Sequence, residues 1–300
     1  MVSKKGIVTI ICGPTAVGKT AYAIDLALKE NAEIISADSG QIYRGLDIGT
    51  AKPTDEERRG VPFHLIDILD PSERFSAADF RKQALQTITE IQQRGKKVFI
   101  VGGTGLYLKV LEEGIFEGPS ADPEIRARLE GEIREQGIEH LYRRLQKIDP
   151  TAAKKMDGYN RQRIIRALEV YELTGRSISS FWKIPPSVPL FDKEGEGGDF
   201  VKLGLTLPRD ELNRRIETRI DEMIQKGWIE ETEVLLKKWG AEAPGLKLIG
   251  YRELAIYLAG KTKRELAIEL IKTATRHYAK RQLTWFKKDK EIRWVNPLTA

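Results

Sequence analysis

The stretch Gly13-Pro14-Thr15-Ala16-Val17-Gly18-Lys19-Thr20 constrains the fold of this chain more than any other. It follows an apolar run at residues 7–12, which predicts a buried strand, and it precedes a helical pattern at residues 21–28. Glycines at both ends let the backbone curl until its N–H groups point inward, and the helix start adds partial positive charge. In this context the spacing is typical of a phosphate-binding P-loop rather than of an ordinary tight turn.

All eight residues of this loop, 13–20, are predicted to hold phosphate groups. Lys19 can reach an outer phosphate as a point charge, and the Thr20 hydroxyl is placed to ligate a Mg²⁺ ion that bridges phosphate oxygens. The loop does not specify which phosphates it holds, because ATP, GTP and an organic diphosphate fit the same cup.

The composition indicates an ordinary folded chain with a basic excess. Of 300 residues 41% are hydrophobic and 31% charged, and the net charge of +6 favours a polyanionic partner. The apolar run near the N-terminus is too short for a signal peptide or a membrane span, so we expect a cytosolic protein with no membrane partner. A single cysteine, Cys12, excludes an internal disulfide and predicts core packing, and three separated histidines suggest no zinc site.

Strands alternate with helices along most of the chain, which predicts an α/β fold with a parallel sheet flanked by helices, like that of P-loop NTPases. Ser76 to Asp79 reads as a capped helix start. The predicted strands lie at residues 7–12, 33–37, 63–68, 97–101, 200–207 and 291–295.

From about residue 115 the pattern becomes helical, starting with the cap and proline Asp122-Pro123, and no strand is predicted before residue 200. We therefore expect a P-loop core built from residues 1–116 and 200–300, interrupted by an all-helical insertion domain at 117–199. The insertion ends in a stretch rich in proline and glycine, at residues 185–198, which predicts a mobile linker. We expect a monomer with hinges near residues 116 and 200.

Polar residues follow two of the predicted strands, where ligands bind in open α/β sheets. Asp38-Ser39-Gly40-Gln41 follows the second strand, and Gly102-Gly103-Thr104 follows the fourth. Asp38 and Thr104 are therefore site candidates. His64 and Asp67 border the third strand, where we expect a buried, satisfied pair rather than catalysis.

Basic residues cluster in two helical regions. Residues 261–290, predicted as the last helix, carry ten Lys or Arg against three acids, and aromatic residues are interleaved with them. Such clusters can neutralise phosphates and stack on unpaired bases, although a solvated helix face is an equally good interpretation of the charge. The predicted RNA contacts are Gln162, Arg163 and Arg166 in the insertion, and Arg276, Lys280 and Arg281 in the last helix.

Several motifs taken together resemble the tRNA dimethylallyltransferase family, also called tRNA isopentenyltransferase, from end to end. They are the P-loop at 13–20, Asp-Ser-Gly-Gln-Ile-Tyr at 38–43, Asp-Ile-Gly-Thr-Ala-Lys-Pro at 47–53, Gly-Gly-Thr-Gly-Leu-Tyr at 102–107, Gln-Arg-Ile-Ile-Arg-Ala-Leu-Glu at 162–169 and Ile-Gly-Tyr-Arg-Glu at 249–253. Eukaryotic members carry a C-terminal zinc finger, and this chain has no cysteine there, so it resembles the bacterial type.

The resemblance implies transfer of a dimethylallyl group from dimethylallyl diphosphate to N6 of the adenosine just 3′ of the anticodon in tRNA. It also implies that the helical insertion binds the anticodon stem-loop. A diphosphate held by the P-loop and by Mg²⁺ on Thr20 is a stabilised leaving group, and Lys19 offsets the charge that develops on it.

Asp38 is the expected base that accepts the N6 proton, as the resemblance also implies, and its alternative role is to hold Mg²⁺ through water. Thr104 resembles the family threonine that contacts the target nucleotide, and its alternative role is to cap the next helix. Ser39, Gly40 and Gln41 are expected to read the flipped-out adenine.

Arg215 and Arg219 lie four residues apart on a predicted helix and share a face that can turn towards the diphosphate. Pairing with Glu211 or Glu222 is the alternative for both, and Arg219 is the first choice for catalysis.

Two rival functions use the same P-loop. A P-loop kinase needs an acidic residue at the end of a later strand, which this chain lacks, and a non-catalytic RNA-binding protein leaves Asp38 and residues 102–107 without a role.

Overall fold

The computed structural model describes residues 6–115, 118–156, 159–182 and 200–298. The strands are β1 (Val8–Cys12), β2 (Ala32–Ser36), β3 (Phe63–His64), β4 (Lys97–Gly102), β5 (Phe200–Leu205) and β6 (Arg293–Val295). The helices before β5 are α1 (Lys19–Glu30), α2 (Asp55–Arg58), α3 (Ala77–Gln93), α4 (Gly105–Glu113), α5 (Pro123–Gln136), α6 (Ile138–Ile148), α7 (Pro150–Lys155), α8 (Arg161–Thr174) and α9 (Ile178–Phe181). After β5 come α10 (Arg209–Gln225), α11 (Trp228–Trp239), a 3₁₀ turn (Pro244–Lys247), α12 (Tyr251–Leu258) and α13 (Arg264–Phe286).

All six strands form one parallel sheet in the order β3-β2-β4-β1-β5-β6. In its centre Val8 of β1 pairs with Val98 of β4 on one side and with Phe200 of β5 on the other. Because the strands are parallel, the loops that follow β1, β2 and β4 all emerge at the same edge. The predicted α/β fold and the predicted positions of the strands are confirmed.

Helices cover both faces of the sheet, so the central strands are apolar on both sides. Ile11, Ile34 and Phe99 point into one core with α1 and α10–α13, whereas Ile10 and Ile100 point into the other core with α3 and α4. This alternation follows from the two-residue repeat of a strand. Cys12 lies in the second core, where burial raises the pKa of its thiol to about 12, as expected for a packing residue.

Helix ends follow the capping rules read from the sequence. Ser76 and Asp79 form a reciprocal capping box at the start of α3. Asp122 accepts hydrogen bonds from the N–H groups of Glu124 and Ile125, and Pro123 occupies the first turn of α5.

The chain divides into two compact units, Met1–Glu112 with Leu190–Ala300, and Glu113–Pro189. Within residues 118–156 and 159–182 the second unit contains five helices and no strand. Its core is formed by residues such as Leu129, Leu141, Leu145, Ile164 and Leu168. The helical character of the predicted insertion is therefore confirmed. The predicted linker at 185–198 and the predicted hinge at residue 116 lie outside the described residues.

The strands predicted over 200–207 and 291–295 are two residues shorter in the structure, at Phe200–Leu205 and Arg293–Val295. Two other predicted elements are shortened more. The strand expected over 63–68 ends at His64, because Leu65 and Asp67 adopt left-handed backbone angles and the N–H groups of Asp67 and Ile68 bond to the carbonyls of Gln41 and Ile42. The basic segment 261–290 is helical only over Arg264–Phe286, so five of its ten basic residues flank the helix. Within the described ranges, no helix is both long enough and apolar enough to cross a membrane.

Candidate active site

The loop between β1 and α1 has the backbone shape that the glycine spacing predicts. Gly13, Ala16 and Gly18 have φ angles of 143°, 64° and 98°, and α1 begins at Lys19. A Cβ atom at Gly13 would lie 2.5 Å from the carbonyl oxygen of Leu205, so only glycine fits between this loop and β5. The loop borders a cavity of about 660 Å³, which we call the P-loop cavity.

The eight residues predicted to bind diphosphate contribute unequally. Ala16, Gly18, Lys19 and Thr20 line the P-loop cavity. Gly13 shapes the loop, Pro14 has no N–H to donate, and Val17 is fully buried in the core. The N–H of Thr15 donates to Oε1 of Gln282 over 2.8 Å, which leaves the later N–H groups and the start of α1 for an anion.

Lys19 is desolvated and poorly paired. Its ammonium donates to the carbonyl of Pro14 over 2.8 Å. Burial and nearby Arg219 lower the pKa of Lys19 to about 8, although the Asp38 carboxylate acts in the opposite direction. A diphosphate would supply the negative charge that this ammonium lacks.

The two arginines predicted near the diphosphate have different surroundings. Arg215 pairs with Glu211 over 3.1 Å, as its alternative role predicted, yet its guanidinium also lies 4.0 Å from a Cβ placed on Gly18. Arg219 forms no hydrogen bond or ion pair within the described residues, and burial lowers the pKa of its guanidinium. Of the two, Arg219 is the desolvated cation without a partner.

The second half of the site follows β2. Oδ1 of Asp38 accepts a hydrogen bond from the N–H of Gly40 over 2.8 Å, which closes a tight turn and fixes the carboxylate. Asp38, Ser39 and Gly40 line a smaller cavity of about 200 Å³, which we call the Asp38 cavity.

Gln41 is not in this group. Its buried side chain accepts from the Ser36 hydroxyl over 3.0 Å and donates to the carbonyls of Thr50 and Ala51. The amide expected to read adenine therefore holds the loop after residue 46 against β2, and it keeps no spare donor for a ligand.

Thr104, after β4, bonds to the loop that follows β2. Its hydroxyl accepts a hydrogen bond from the N–H of Ser39 over 3.1 Å, and its carbonyl accepts from Tyr107 and Leu108 at the start of α4. The main chain of Thr104 therefore starts α4, as its alternative role predicted, while its side chain faces the Asp38 loop. Its contact with the target nucleotide stays a prediction.

Tyr278 of α13 lines the Asp38 cavity and was not a predicted site residue. Burial and the Asp38 carboxylate raise the pKa of its hydroxyl, while hydrogen bonding to the side chains of Thr104 and Gln282 lowers it. The phenol is therefore a neutral hydrogen-bonding group beside Asp38.

The two cavities adjoin each other, since Ala16, Arg219 and Met223 line both. One end of this combined space carries the P-loop cations, and the other carries Asp38. Apolar side chains line the Asp38 cavity, among them Ile216, Ile220, Met223, Trp228, Leu248 and Ile249. The arrangement suits a ligand with a phosphate end and a small apolar end that stops next to a carboxylate.

Glu231 of α11, another residue missed from the sequence, fixes the loop at 47–49. Its carboxylate accepts hydrogen bonds from the N–H groups of Asp47, Ile48 and Gly49 at 3.1, 2.8 and 3.2 Å, and from the hydroxyl of Tyr251 at 2.6 Å. The motifs at 47–53 and 249–253 are therefore joined through one carboxylate. The only sequence signal for Glu231 was its place in the first turn of a helix, where acids are common.

His64 and Asp67 have satisfied side chains, but the predicted buried pair is wrong, because each is partly exposed and binds another residue. Nε2 of His64 lies 2.7 Å from Oε2 of Glu33, which Arg94 also binds. Asp67 pairs with the buried ammonium of Lys52.

In the insertion, the predicted RNA contacts separate into free and engaged groups. Gln162 and Arg163 are exposed at the start of α8. Arg166 binds Glu169 over 2.6 Å and donates to the carbonyl of Pro119 over 2.8 Å. Arg166 is therefore part of the framework of the insertion rather than a free basic side chain.

The same distinction applies to α13. Arg276 pairs with Glu217 over 2.6 Å and also donates to Thr273. Lys280 is exposed, and so is Arg281, whose guanidinium lies 5.8 Å from the ring centre of Tyr278. Lys280 and Arg281 are the two predicted contacts on this helix that remain available to an anion.

Comparisons with known proteins agree with one another. The family model described as IPP transferase matches residues 41–289. The tRNA dimethylallyltransferase of Geobacter metallireducens is 47% identical over 97% of this chain and 93% of its own length. The tRNA dimethylallyltransferase of Carboxydothermus hydrogenoformans is 48% identical over 96% of this chain and 91% of its own length.

Solved structures with the same fold include the full-length tRNA isopentenylpyrophosphate transferase of Bacillus halodurans, with 43% identity and a TM-score of 0.71 over 97% of this chain and 90% of the other. The structure of a eukaryotic dimethylallyltransferase acting on tRNA has 29% identity and a TM-score of 0.80, over 98% of this chain and 75% of the other.

Proposed function

This chain belongs to the IPP transferase family of tRNA dimethylallyltransferases, and on that premise we propose that it transfers a dimethylallyl group from dimethylallyl diphosphate to N6 of the adenosine 3′-adjacent to the anticodon in tRNA. The observation that carries the proposal is the joined pair of cavities. Lys19 borders one end and Asp38 the other, and the second desolvated cation, Arg219, lines both cavities.

The diphosphate occupies the P-loop cavity in this proposal. The N–H groups at the start of α1 bind its oxygens, and the ammonium of Lys19 and the guanidinium of Arg219 offset its charge. As the bond between the allylic carbon and oxygen breaks, its electron pair goes to the diphosphate. Cations that are already positioned and desolvated stabilise that charge more than water does.

The dimethylallyl group extends into the apolar Asp38 cavity, where N6 of the adenine attacks the allylic carbon. The N6 lone pair is delocalised into the ring, so the amine needs a base as the new bond forms. Asp38 accepts the N6 proton, and its carboxylate is held in place by Gly40. A positioned base of this kind contributes about 10²–10⁴-fold to the rate.

Thr104, Ser39 and Gly40 form the nucleotide side of the site. The target base must leave the helical stack before its amino group can reach Asp38. The hydroxyl of Thr104 and the phenol of Tyr278 then offer hydrogen bonds to the extruded nucleotide. Gln41 stabilises the loop from behind, because its amide hydrogens bind the carbonyls of Thr50 and Ala51.

A divalent cation, which we propose to be Mg²⁺, fits the oxygen-rich part of the P-loop cavity. Thr20 supplies a hydroxyl oxygen there, and no cluster of three or more His, Cys, Asp or Glu side chains exists among the described residues. Mg²⁺ suits such a site, because it binds through few protein oxygens together with phosphate oxygens and water. When bound, it supplies further neutralisation of the leaving diphosphate.

We propose that tRNA binds as its anticodon stem-loop to two basic surfaces. One includes Gln162 and Arg163 of the insertion, and the other includes Lys280 and Arg281 of α13. The enzyme acts as a monomer in the cytosol, where its tRNA substrate is found.

The test is an incubation of the purified protein with Mg²⁺, unmodified tRNA that carries adenosine 3′ of the anticodon, and either dimethylallyl diphosphate or ATP. Mass analysis of the nucleosides follows. We expect a dimethylallyl increment on that adenosine with the first donor only, and a tRNA with guanosine at this position serves as the matched control. Consumption of ATP without any increment would support a kinase or an ATPase instead.

A further inference from the structure

Gln282 of α13 is 6% exposed and connects two loops of the site that are far apart in sequence. Its Oε1 accepts a hydrogen bond from the N–H of Thr15 in the P-loop over 2.8 Å. Its Nε2 donates to the carbonyl of Gly103 after β4 over 2.9 Å. One side-chain amide thus links the diphosphate side of the site to the nucleotide side.

The fit around this amide is tight. A Cβ atom at Gly103 would lie 2.1 Å from Nε2 of Gln282, so a larger residue cannot occupy that position without displacing the amide. Tyr278 and Trp285 lie one turn before and about one turn after Gln282 on α13, and they contact the same region. The first interacts with Thr104, and the second would meet a Cβ on Gly105 at 2.3 Å.

We propose that Gln282 is a positioning residue for the transfer reaction, because it fixes the distance between the diphosphate held by the P-loop and the nucleotide held near Thr104. This inference depends on the proposed function for its chemistry, but the coupling between the two loops can be measured without it. Gln282 lines neither the P-loop cavity nor the Asp38 cavity. Its effect acts through Thr15 and Gly103.

The physical reason is the geometric demand of a two-substrate displacement. The attacking nitrogen and the allylic carbon must come within about 3–3.5 Å in line, and a shift of about 1 Å can reduce the rate by about 10². Two loops that bind separate substrates keep such a distance only if something rigid joins them. An amide that accepts from one loop and donates to the other, held on a long helix, provides that connection.

The first experiment compares kinetics of Gln282→Met with those of the unchanged chain. We expect kcat to fall roughly 10–100-fold, whereas the dissociation constants for dimethylallyl diphosphate and for the anticodon stem-loop, each measured alone, change less than about twofold. The matched control is Gln92→Met, because Gln92 donates a similar amide hydrogen bond to the carbonyl of Gly6 far from the site. A Gln282→Met variant with normal kcat, or with a loss explained by weaker diphosphate binding alone, would overturn the proposal.

The second experiment uses Gln282→Glu to keep the proposal testable if Gln282→Met folds poorly. A protonated carboxyl can accept from Thr15 and donate to Gly103, as the amide does, whereas a carboxylate can only accept and is repelled by the Gly103 carbonyl. Burial raises the pKa of a carboxyl group. The kcat of Gln282→Glu relative to the unchanged chain should therefore rise as the pH falls below neutrality. A constant ratio across pH would contradict the two-bond role.

The third experiment separates this inference from the proposed function. Inorganic diphosphate with Mg²⁺ is added, and hydrogen exchange is followed in peptides covering residues 13–20 and 102–105. In the unchanged chain and in Gln92→Met, added diphosphate should slow exchange in both peptides. In Gln282→Met it should slow exchange only in the peptide covering residues 13–20. Slowing of both peptides in Gln282→Met would refute the coupling. Absence of transferase activity in the unchanged chain would refute the proposed function alone.

Discussion

The N–H of Ser39 donates a hydrogen bond to Oγ1 of Thr104 over 3.1 Å, which joins the loops after the neighbouring strands β2 and β4. Thr104→Val keeps the shape of the side chain but removes this acceptor, so the partly buried N–H of Ser39 loses its partner. We expect kcat to fall at least about tenfold, while Thr104→Ser stays within about threefold of the unchanged chain. Steady-state transfer assays on both variants test this, and full activity of Thr104→Val would show that the hydroxyl is dispensable.

Asp38→Asn should abolish turnover without weakening substrate binding. The amide keeps an oxygen that can accept from Gly40, but it cannot take the N6 proton, so we expect a loss of about 10²–10⁴-fold in kcat. Binding of Mg²⁺ with diphosphate, and of tRNA, is measured separately by calorimetry and by filter retention. A large loss of Mg²⁺-dependent diphosphate affinity would identify Asp38 as a metal-binding residue instead.

Lys19 should take up a proton when diphosphate binds at alkaline pH. Its pKa is lowered to about 8 by burial, so the free amine predominates above that pH. A bound anion favours the charged form and raises the pKa again, which requires uptake of up to about one proton between about pH 8 and the usual lysine pKa near 10.4. Affinity for diphosphate should accordingly decline above pH 8.

Calorimetric titration of Mg²⁺ and diphosphate in two buffers of different ionisation enthalpy measures this proton uptake. Lys19→Met is the control and should bind more weakly with no uptake near pH 9. Equal uptake in the variant would assign the proton to another group.

Glu231→Gln should destabilise the fold. The carboxylate accepts four hydrogen bonds, and a glutamine turns an NH₂ group towards N–H donors of the loop at 47–49. We expect the free energy of unfolding to fall by on the order of 2–3 kcal/mol in denaturant titrations. Glu233→Gln on the same helix is the matched control, since its exposed pair with Lys237 is worth less than about 1 kcal/mol. Equal effects of the two substitutions would contradict the role of Glu231.

Arg163 and Arg166 should behave differently although both were predicted to bind tRNA. Arg163→Ala should leave thermal stability unchanged and weaken tRNA binding severalfold. The slope of log K for tRNA binding against log salt concentration should become shallower by about 0.7–0.9. Arg166→Ala should destabilise the insertion by about 3 kcal/mol, because it removes one of two arginines that pair with fully buried Glu169. Thermal unfolding and binding titrations of both variants decide this, and the reverse pattern would contradict the distinction.

The sequence was sufficient for the sheet and the P-loop because local patterns carry them. The apolar runs fixed the positions of the six strands, and the glycine spacing gave the shape of the loop at 13–18. The left-handed residues Leu65 and Asp67 stopped β3 early. Their conformation depends on hydrogen bonds to residues 41 and 42, which no local pattern shows.

For the site, the sequence identified residues that lie next to strand ends but not those that hold them in place. Asp38 and Thr104 were found by position. Gln282, Tyr278 and Glu231 were missed, because their roles arise from contacts between α11 or α13 and loops far away in the chain. Free and engaged arginines also look alike in a sequence, and only the partners Glu169 and Glu217 distinguish them.

The place of β1 between β4 and β5 affects how this protein is made on the ribosome. β4 is synthesised before the insertion and β5 after it, so one edge of β1 has no partner strand until the ribosome has passed the whole insertion. At typical elongation rates this wait lasts on the order of 10–40 s. During that time one edge of β1 exposes unpaired backbone N–H and C=O groups, which can pair with another chain. Arg219 and Gln282 emerge later still, so the phosphate site is completed only at the end of synthesis.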